Sequence, residues 1–211
     1  YAALGANTTA SYGTAVGAYA LDANTTGVNN TGVGYAALTT NTTGQENTAF
    51  GKDTLGNNTT ANRNTAIGYA VLTTNTTGAD NTGVGHGALY DNSTGQQNTA
   101  VGLNALANYT HNAATAVGNQ ALEDLTTGPG NTAVGHDAGR EITTGEYNTI
   151  IGYAALDGAS STDADYNVAV GSGSLGSTSY SGNENTCVGH NSGHNMTSGG
   201  SNVCVGTNAG D

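Results

Sequence analysis

A 17-residue repeat runs through the chain and fixes the class of fold before any single residue is considered. Cutting after each Gly that follows a short apolar step ends units at Gly17, Gly34, Gly51, Gly68, Gly85, Gly102, Gly118, Gly135, Gly152, Gly171, Gly189 and Gly206. The twelve units are 17 residues long except for one each of 16, 19 and 18, and a thirteenth breaks off at Thr207–Asp211. The odd lengths arise in the middle of a unit, never in its terminal segment. Self-similarity at a fixed period marks an array whose units bury their apolar faces only by stacking.

The columns of the array read as strand. Three residues before each Gly stands Thr, or Val at Val168 and Val203. Both are β-branched, which favours extended backbone. The residue before the Gly is always Val, Ile or Phe, as in Val16, Phe50 and Ile67. Between them lies Ala, Gly or Cys, with Ile150 the exception. A second segment, Y-A-A-L, ends in Leu in ten units, with Gly139 and Gly193 in the other two. Each unit thus predicts a strand of about five residues, a Gly corner, a second short strand and a polar loop of roughly eight. Neither heptads nor helix–turn–helix repeats have this period. The expected fold is all-β: a parallel β-solenoid of about 17 residues per coil and 12 coils. Asn and Thr columns would hydrogen-bond up the stack.

Composition has to be reconciled with that fold. Leu, Ile, Val and Phe supply 30 of 211 residues, about 14%, below the ~20% at which a charged chain is suspected of disorder. Disorder gives no reason to hold columns so strictly, so the repeat overrides the composition. Along N-T-A-V-G, Thr and Val share one face, and Ala, Gly or Cys the other. Neither face is charged, so both are expected to be covered. A single roll has one interior, and the small-residue face is therefore expected to pack closely on a second chain. The chain reads as a homo-oligomer.

Charge excludes other classes. Three basic residues against fifteen acids give a net charge of −12, which supplies no cationic footprint for nucleic acid and no basic stretch for anionic membrane. No apolar run approaches a spanning helix, and no signal peptide is visible. Few lysines and abundant Thr, Asn and Gly lean towards an extracellular or virion surface. Both ends interrupt the array without a cap, as expected of an excerpt from a longer chain.

Stretches such as Asn30–Leu38 (NTGVGYAAL), and N-T-A-V-G at Asn98–Gly102 and Asn131–Gly135, resemble the head repeats of trimeric autotransporter adhesins. They are closer still to the NTAVG-type repeat arrays of phage and other viral tail fibres. The resemblance covers nearly the whole chain and implies a trimer of left-handed parallel β-rolls serving as a stalk or receptor-binding head. The period departs from the adhesin head, which has a shorter unit; the extra residues sit in the T-T-N-T-T-G loop.

Candidate sites are few. Asn7, Asn24, Asn41, Asn58, Asn75 and Asn92 stand 17 apart, each in an N-x-S/T sequence; they read as a line of glycosylation acceptors or as a surface ladder. Cys187 and Cys204 share a column one coil apart, which admits a rung-to-rung or interchain disulfide or two small residues replacing Ala. His86, His136 and His190 open units three apart and make no metal site within one chain, and His190 with His194 lacks the partners zinc needs. Carboxylates scatter through the loops (Asp22, Glu46, Asp80, Glu123, Asp124, Glu146, Asp157, Asp163, Asp165), and no column reads as holding them on successive rungs. No phosphate-binding loop or Ser/His/Asp arrangement is present, and no catalytic residue, metal or cofactor is assigned.

The chain divides at the loops into a regular rod, 1–152, and a continuation, 153–211, whose loops at Asp157–Tyr166 and Gly176–Glu184 lengthen and vary. The expected function is a structural and adhesive fibre segment: the shaft or receptor-binding head of a viral tail fibre, extracellular, contacting a host surface glycan or protein. A bacterial trimeric surface adhesin is the alternative, with an ice-binding rod and a tailspike glycosidase behind it.

Overall fold

The computed structural model describes residues 2–158 and 164–211. They contain twelve strands and no helix: β1 (Thr14–Val16), β2 (Thr31–Val33), β3 (Thr48–Phe50), β4 (Thr65–Tyr69), β5 (Thr82–His86), β6 (Thr99–Val101), β7 (Thr115–Val117), β8 (Thr132–Val134), β9 (Thr149–Ile151), β10 (Val168–Val170), β11 (Thr186–Val188) and β12 (Val203–Val205). The chain forms two compact units, Tyr1–Val101 and Gly102–Asp211. In each, the strands pair parallel with their sequence neighbours in strict register, as Thr31↔Thr48 and Thr132↔Thr149. Both units are parallel β-solenoids, with about twelve turns between them.

Asparagine side chains tie coil to coil. Asn30, Asn47, Asn64 and Asn81 precede the strands and are fully buried. The Oδ1 of each accepts from the backbone N–H of the next Asn at 3.0 Å. Each Nδ2 donates to a carbonyl of the following coil at 2.7–2.9 Å, Asn64 to Gly78 for example. The second unit repeats this through Asn131, Asn148, Asn167 and Asn185. Buried backbone groups that no strand reaches are satisfied by side chain instead.

The Y-A-A-L segment is not a strand. It forms turns in which alternate residues take positive φ, 54° at Ala36 and 53° at Leu38. The physical reason is burial: Ala37 and Leu38 are both fully buried, whereas strand alternation would turn one of any two neighbours outward. Left-handed backbone is costly for Leu, and Gly139 and Gly193 (φ 63° and 67°) fill the column without that cost. The strands also run shorter than expected, three residues except in β4 and β5, which have five. Gly51 ends β3 at φ 133°, with the backbone of Gly68 in the next coil where a Cβ would stand.

The small-residue column is the interior of a single chain, not a contact between chains. Ala49, Ala66, Ala100, Ala116, Ala133 and Ala169 are fully buried. A coil this narrow leaves room for only a methyl opposite the Leu column, and the interior trades volume position by position. Val71 takes the place of an Ala, and Gly83 faces it; a Cβ on Gly83 would lie 2.5 Å from Val71 Cγ1. Where Gly139 replaces Leu, Ile142 and Ile150 fill the space, their Cδ1 atoms 3.2 and 2.8 Å from where its Cβ would be. Gly193 is compensated by Cys187 and Met196 in the same way. Constant volume is what a close-packed core tolerates.

Two outcomes follow. Asn64→Ala removes three ladder bonds and strands the buried Asn81 N–H, while the Gly78 carbonyl keeps its bond from Asn75 Nδ2, so urea denaturation is expected to show a loss on the order of 2 kcal/mol. Gly83→Ala alone is expected to cost ~1–3 kcal/mol, and adding Val71→Ala to restore most of it in a double-mutant cycle.

Candidate functional site

The outward face of each sheet carries the Thr and Val/Ile/Phe columns. Phe50 is 55% exposed and Ile67 41%, with Val16, Val101, Val117, Val134, Ile151 and Val188 also exposed. No Asp, Glu, Lys or Arg stands in the strands, and His86 at the end of β5 pairs in register with Tyr69 at the end of β4. In the loops Thr25, Thr42, Thr59 and Thr76 each donate a hydroxyl to a carbonyl of the next coil at 2.9–3.2 Å. The strand hydroxyls of Thr14, Thr31, Thr48, Thr65 and Thr82 have no protein partner among the described residues. The face is therefore an uncharged lattice of apolar side chains and free hydroxyls.

Beside it the unit-opening column forms a ladder of rings. Tyr69 stacks on His86 with centroids 5.0 Å apart. The Lys52 ammonium lies 5.2 Å from the Tyr69 ring and 5.9 Å from Tyr35. It also reaches Asp53 Oδ2 at 3.1 Å, and that hydrogen bond holds its pKa above the ordinary lysine value. In the second unit His136 stacks on Tyr153 at 5.4 Å. The rings contact one another in pairs and remain exposed, Tyr153 at 62%.

Five of the six sequon asparagines lie inside the coil, which corrects the expectation of a surface line. Asn24, Asn41, Asn58, Asn75 and Asn92 are fully buried, and Asn7 is exposed. Asn41, Asn58 and Asn75 donate to the Oδ1 of the preceding ladder member at 2.8–3.1 Å. All five also bond the carbonyl three residues on. In the second unit apolar residues replace this ladder. Tyr109, Leu125 and Ile142 are fully buried, and the Tyr109 hydroxyl donates to the Asn112 and Gly128 carbonyls.

Cys187 and Cys204 are register partners and both thiols are free. Burial and the neighbouring Cys204 push the Cys187 thiol up to about 11. His194 Nδ1 lies 3.1 Å from the Gly173 carbonyl, and no group of three or more His, Cys, Asp or Glu among the described residues is arranged to hold a metal ion. The Gly176–Glu184 loop is anchored by fully buried Tyr180, whose hydroxyl donates to Asn167 Oδ1 and accepts from Asn185 Nδ2. Asp163 and the centre of the Asp157–Tyr166 loop, 159–163, lie outside the described residues.

Carboxylates do recur on successive coils, contrary to the column reading. Asp124 and Glu141 stand 17 apart, and Asp165 Oδ1 accepts from the Glu146 backbone N–H one coil away at 2.9 Å. Around Arg140 they converge. Its guanidinium is 3.0 Å from Glu141 Oε1, 3.4 Å from Asp157 Oδ1 and 4.0 Å from Asp137 Oδ1. His136 Nδ1 adds a contact of 2.8 Å to Asp137 Oδ2. Burial raises the Asp157 carboxyl to about 6; Arg140 opposes that, and Asp137 and Glu141 reinforce it. Asp124 is raised too, by burial and then Glu123. The signal was in two adjacent columns: Glu123, Arg140 and Asp157 stand 17 apart in one, and Asp124 and Glu141 in the next.

No protein-family model, curated protein or solved structure matches this chain. No helix of the described residues is long and apolar enough to cross a membrane.

The buried thiol has a direct readout. At pH 7.5 Cys187 is expected to resist iodoacetamide in the folded protein and to react at the ordinary rate in guanidinium, as mass spectrometry of the Cys187 peptide would register.

Proposed function

We propose that the chain is a structural and adhesive fibre segment, the shaft or receptor-binding head of a viral tail fibre. In this reading it is extracellular and assembled as a homotrimer of left-handed β-rolls. The observation that carries the reading is the outward Thr–Val face: uncharged, exposed and repeated in register over six strands in each unit. Soluble monomers rarely expose a contiguous apolar surface of this kind. Copies of the same face, related by symmetry, supply a cover. Each chain already fills its own interior, so assembly adds a second core outside the coils. The outward loops and ring ladder are then displayed in several copies, and avidity turns weak contacts with a host glycan or protein into attachment. A bacterial trimeric surface adhesin of the same build shares this mechanism and differs in its anchor.

The free strand hydroxyls favour one reading of another class, an ice-binding rod, in which ordered water rather than protein covers the lattice. Oligomeric state separates the two. Light scattering of the intact protein is expected to give three times the 20.7 kDa chain mass. Ile67→Lys together with Val134→Lys is expected to yield monomers with unchanged circular dichroism and lost binding to host cells. A monomer at micromolar concentration that shows thermal hysteresis would overturn the fibre reading in favour of ice. Shortening of host polysaccharide on incubation would overturn it in favour of a tailspike glycosidase.

A further inference from the structure

We propose that the Arg140 cluster is a proton-uptake site that tightens its coils as the surroundings turn from neutral to mildly acidic, with Asp157 as the group that takes the proton.

Geometry carries the argument. Asp137 and Asp157 are largely buried, their side chains 12% and 13% exposed. Each has an Oδ1 that is out of contact with solvent and accepts no hydrogen bond. Both oxygens lie at ion-pair distance from the same guanidinium, 4.0 Å for Asp137 and 3.4 Å for Asp157, without a hydrogen bond to it, while its shortest contact, 3.0 Å, goes to Glu141. The groups facing Asp157 are Arg140, Asp137, Glu141 and His136. Behind them lie Asp124 and Glu123, the latter held by Asn104 Nδ2 at 2.8 Å and Gln120 Nε2 at 2.6 Å. Four carboxylates, Asp124, Asp137, Glu141 and Asp157, therefore share one arginine, and the cluster keeps excess negative charge in a largely buried place. Such an arrangement favours a proton over one more anion than a single guanidinium can offset. A proton on Asp157 removes one buried charge, relieves its repulsion with Asp137 and Glu141, and leaves Arg140 to the remaining carboxylates.

The sign follows from linkage. A carboxyl held at about 6 in the folded chain and near ~3.9 in the unfolded one binds its proton more tightly when folded. Its stabilising effect is present at low pH and is lost as pH rises from ~4 through 6. Asp124, raised for the same reason, acts with the same sign. Arg63 lowers Asp80 and gives the opposite sign, weakly, at an exposed site.

The experiment uses the intact chain. Urea unfolding followed by circular dichroism is expected to give an unfolding constant that rises about twenty-five-fold between pH 4.5 and 7.5. Asp157→Asn, which stays neutral, is expected to remove most of that rise and to be more stable than the parent at pH 7.5. Asp80→Asn is expected to leave the rise in place. Carboxyl-carbon NMR of the unsubstituted protein provides a readout independent of whether the variant folds. Titration of Asp157 above pH 5 supports the proposal. Titration in the ordinary carboxylate range, or an Asp157→Asn protein with undiminished pH dependence, overturns it.

Discussion

The side chains of Asn30, Asn47, Asn64 and Asn81 hold the first unit together in a way its strands cannot. A three-residue strand contributes few ladder bonds, and the rest of a 17-residue coil is turn and loop. Left alone, the backbone groups where loop enters strand would be buried without partners, each costing ~1–3 kcal/mol. One Asn per coil accepts from the N–H of the next Asn and donates to a carbonyl of the following coil. The side chain thus extends the parallel pairing by a rung on each turn. The loop threonines, reaching from coil to coil, and the inner Asn24–Asn75 ladder are variations on the same device.

With hydrogen bonds doing that work, the apolar interior can be small. It consists mainly of one Leu and two Ala per coil, and its packing is conserved as volume rather than as residue type. Val71 with Gly83, and Gly139 with Ile142 and Ile150, show the exchange directly. The same accounting explains a chain with 14% large aliphatics: many of its Val and Ile residues lie on the outer face and contribute nothing to the interior. The second unit relaxes the rule by admitting Tyr109, Leu125 and Ile142 where the first has asparagine, and the sole arginine of that unit gathers its carboxylates there.

Much of the architecture was legible from period alone. Twelve Gly corners, a β-branched residue three before each, and a constant apolar residue before it gave parallel strands in register, because stacking units of equal length leaves the chain no other economical pairing. Which face of N-T-A-V-G turns inward was not legible. Alternation assigns Ala to one side and Thr with Val to the other, and composition would place the larger residues inside. The coil is too narrow for Val there, since Leu38 and its neighbours already occupy the space, so the methyl goes in and Val goes out. The asparagine ladder carried the same ambiguity: an N-T-T sequence reads equally as a surface acceptor or as an interior bond.

The sequence by itself determined the repeat, the class of fold, the pairing register and the excess of negative charge, because each follows from residue spacing or composition. The tertiary structure decided three things that depend on distances between columns. Y-A-A-L became a left-handed turn, since only a turn buries two consecutive side chains. The Thr–Val columns became the outer face, since opposite a Leu the interior has room for a methyl, and a larger side chain enters where Gly139 or Gly193 replaces that Leu. Arg140 met Asp137, Glu141 and Asp157, since stacking brings together side chains that the sequence distributes over two coils.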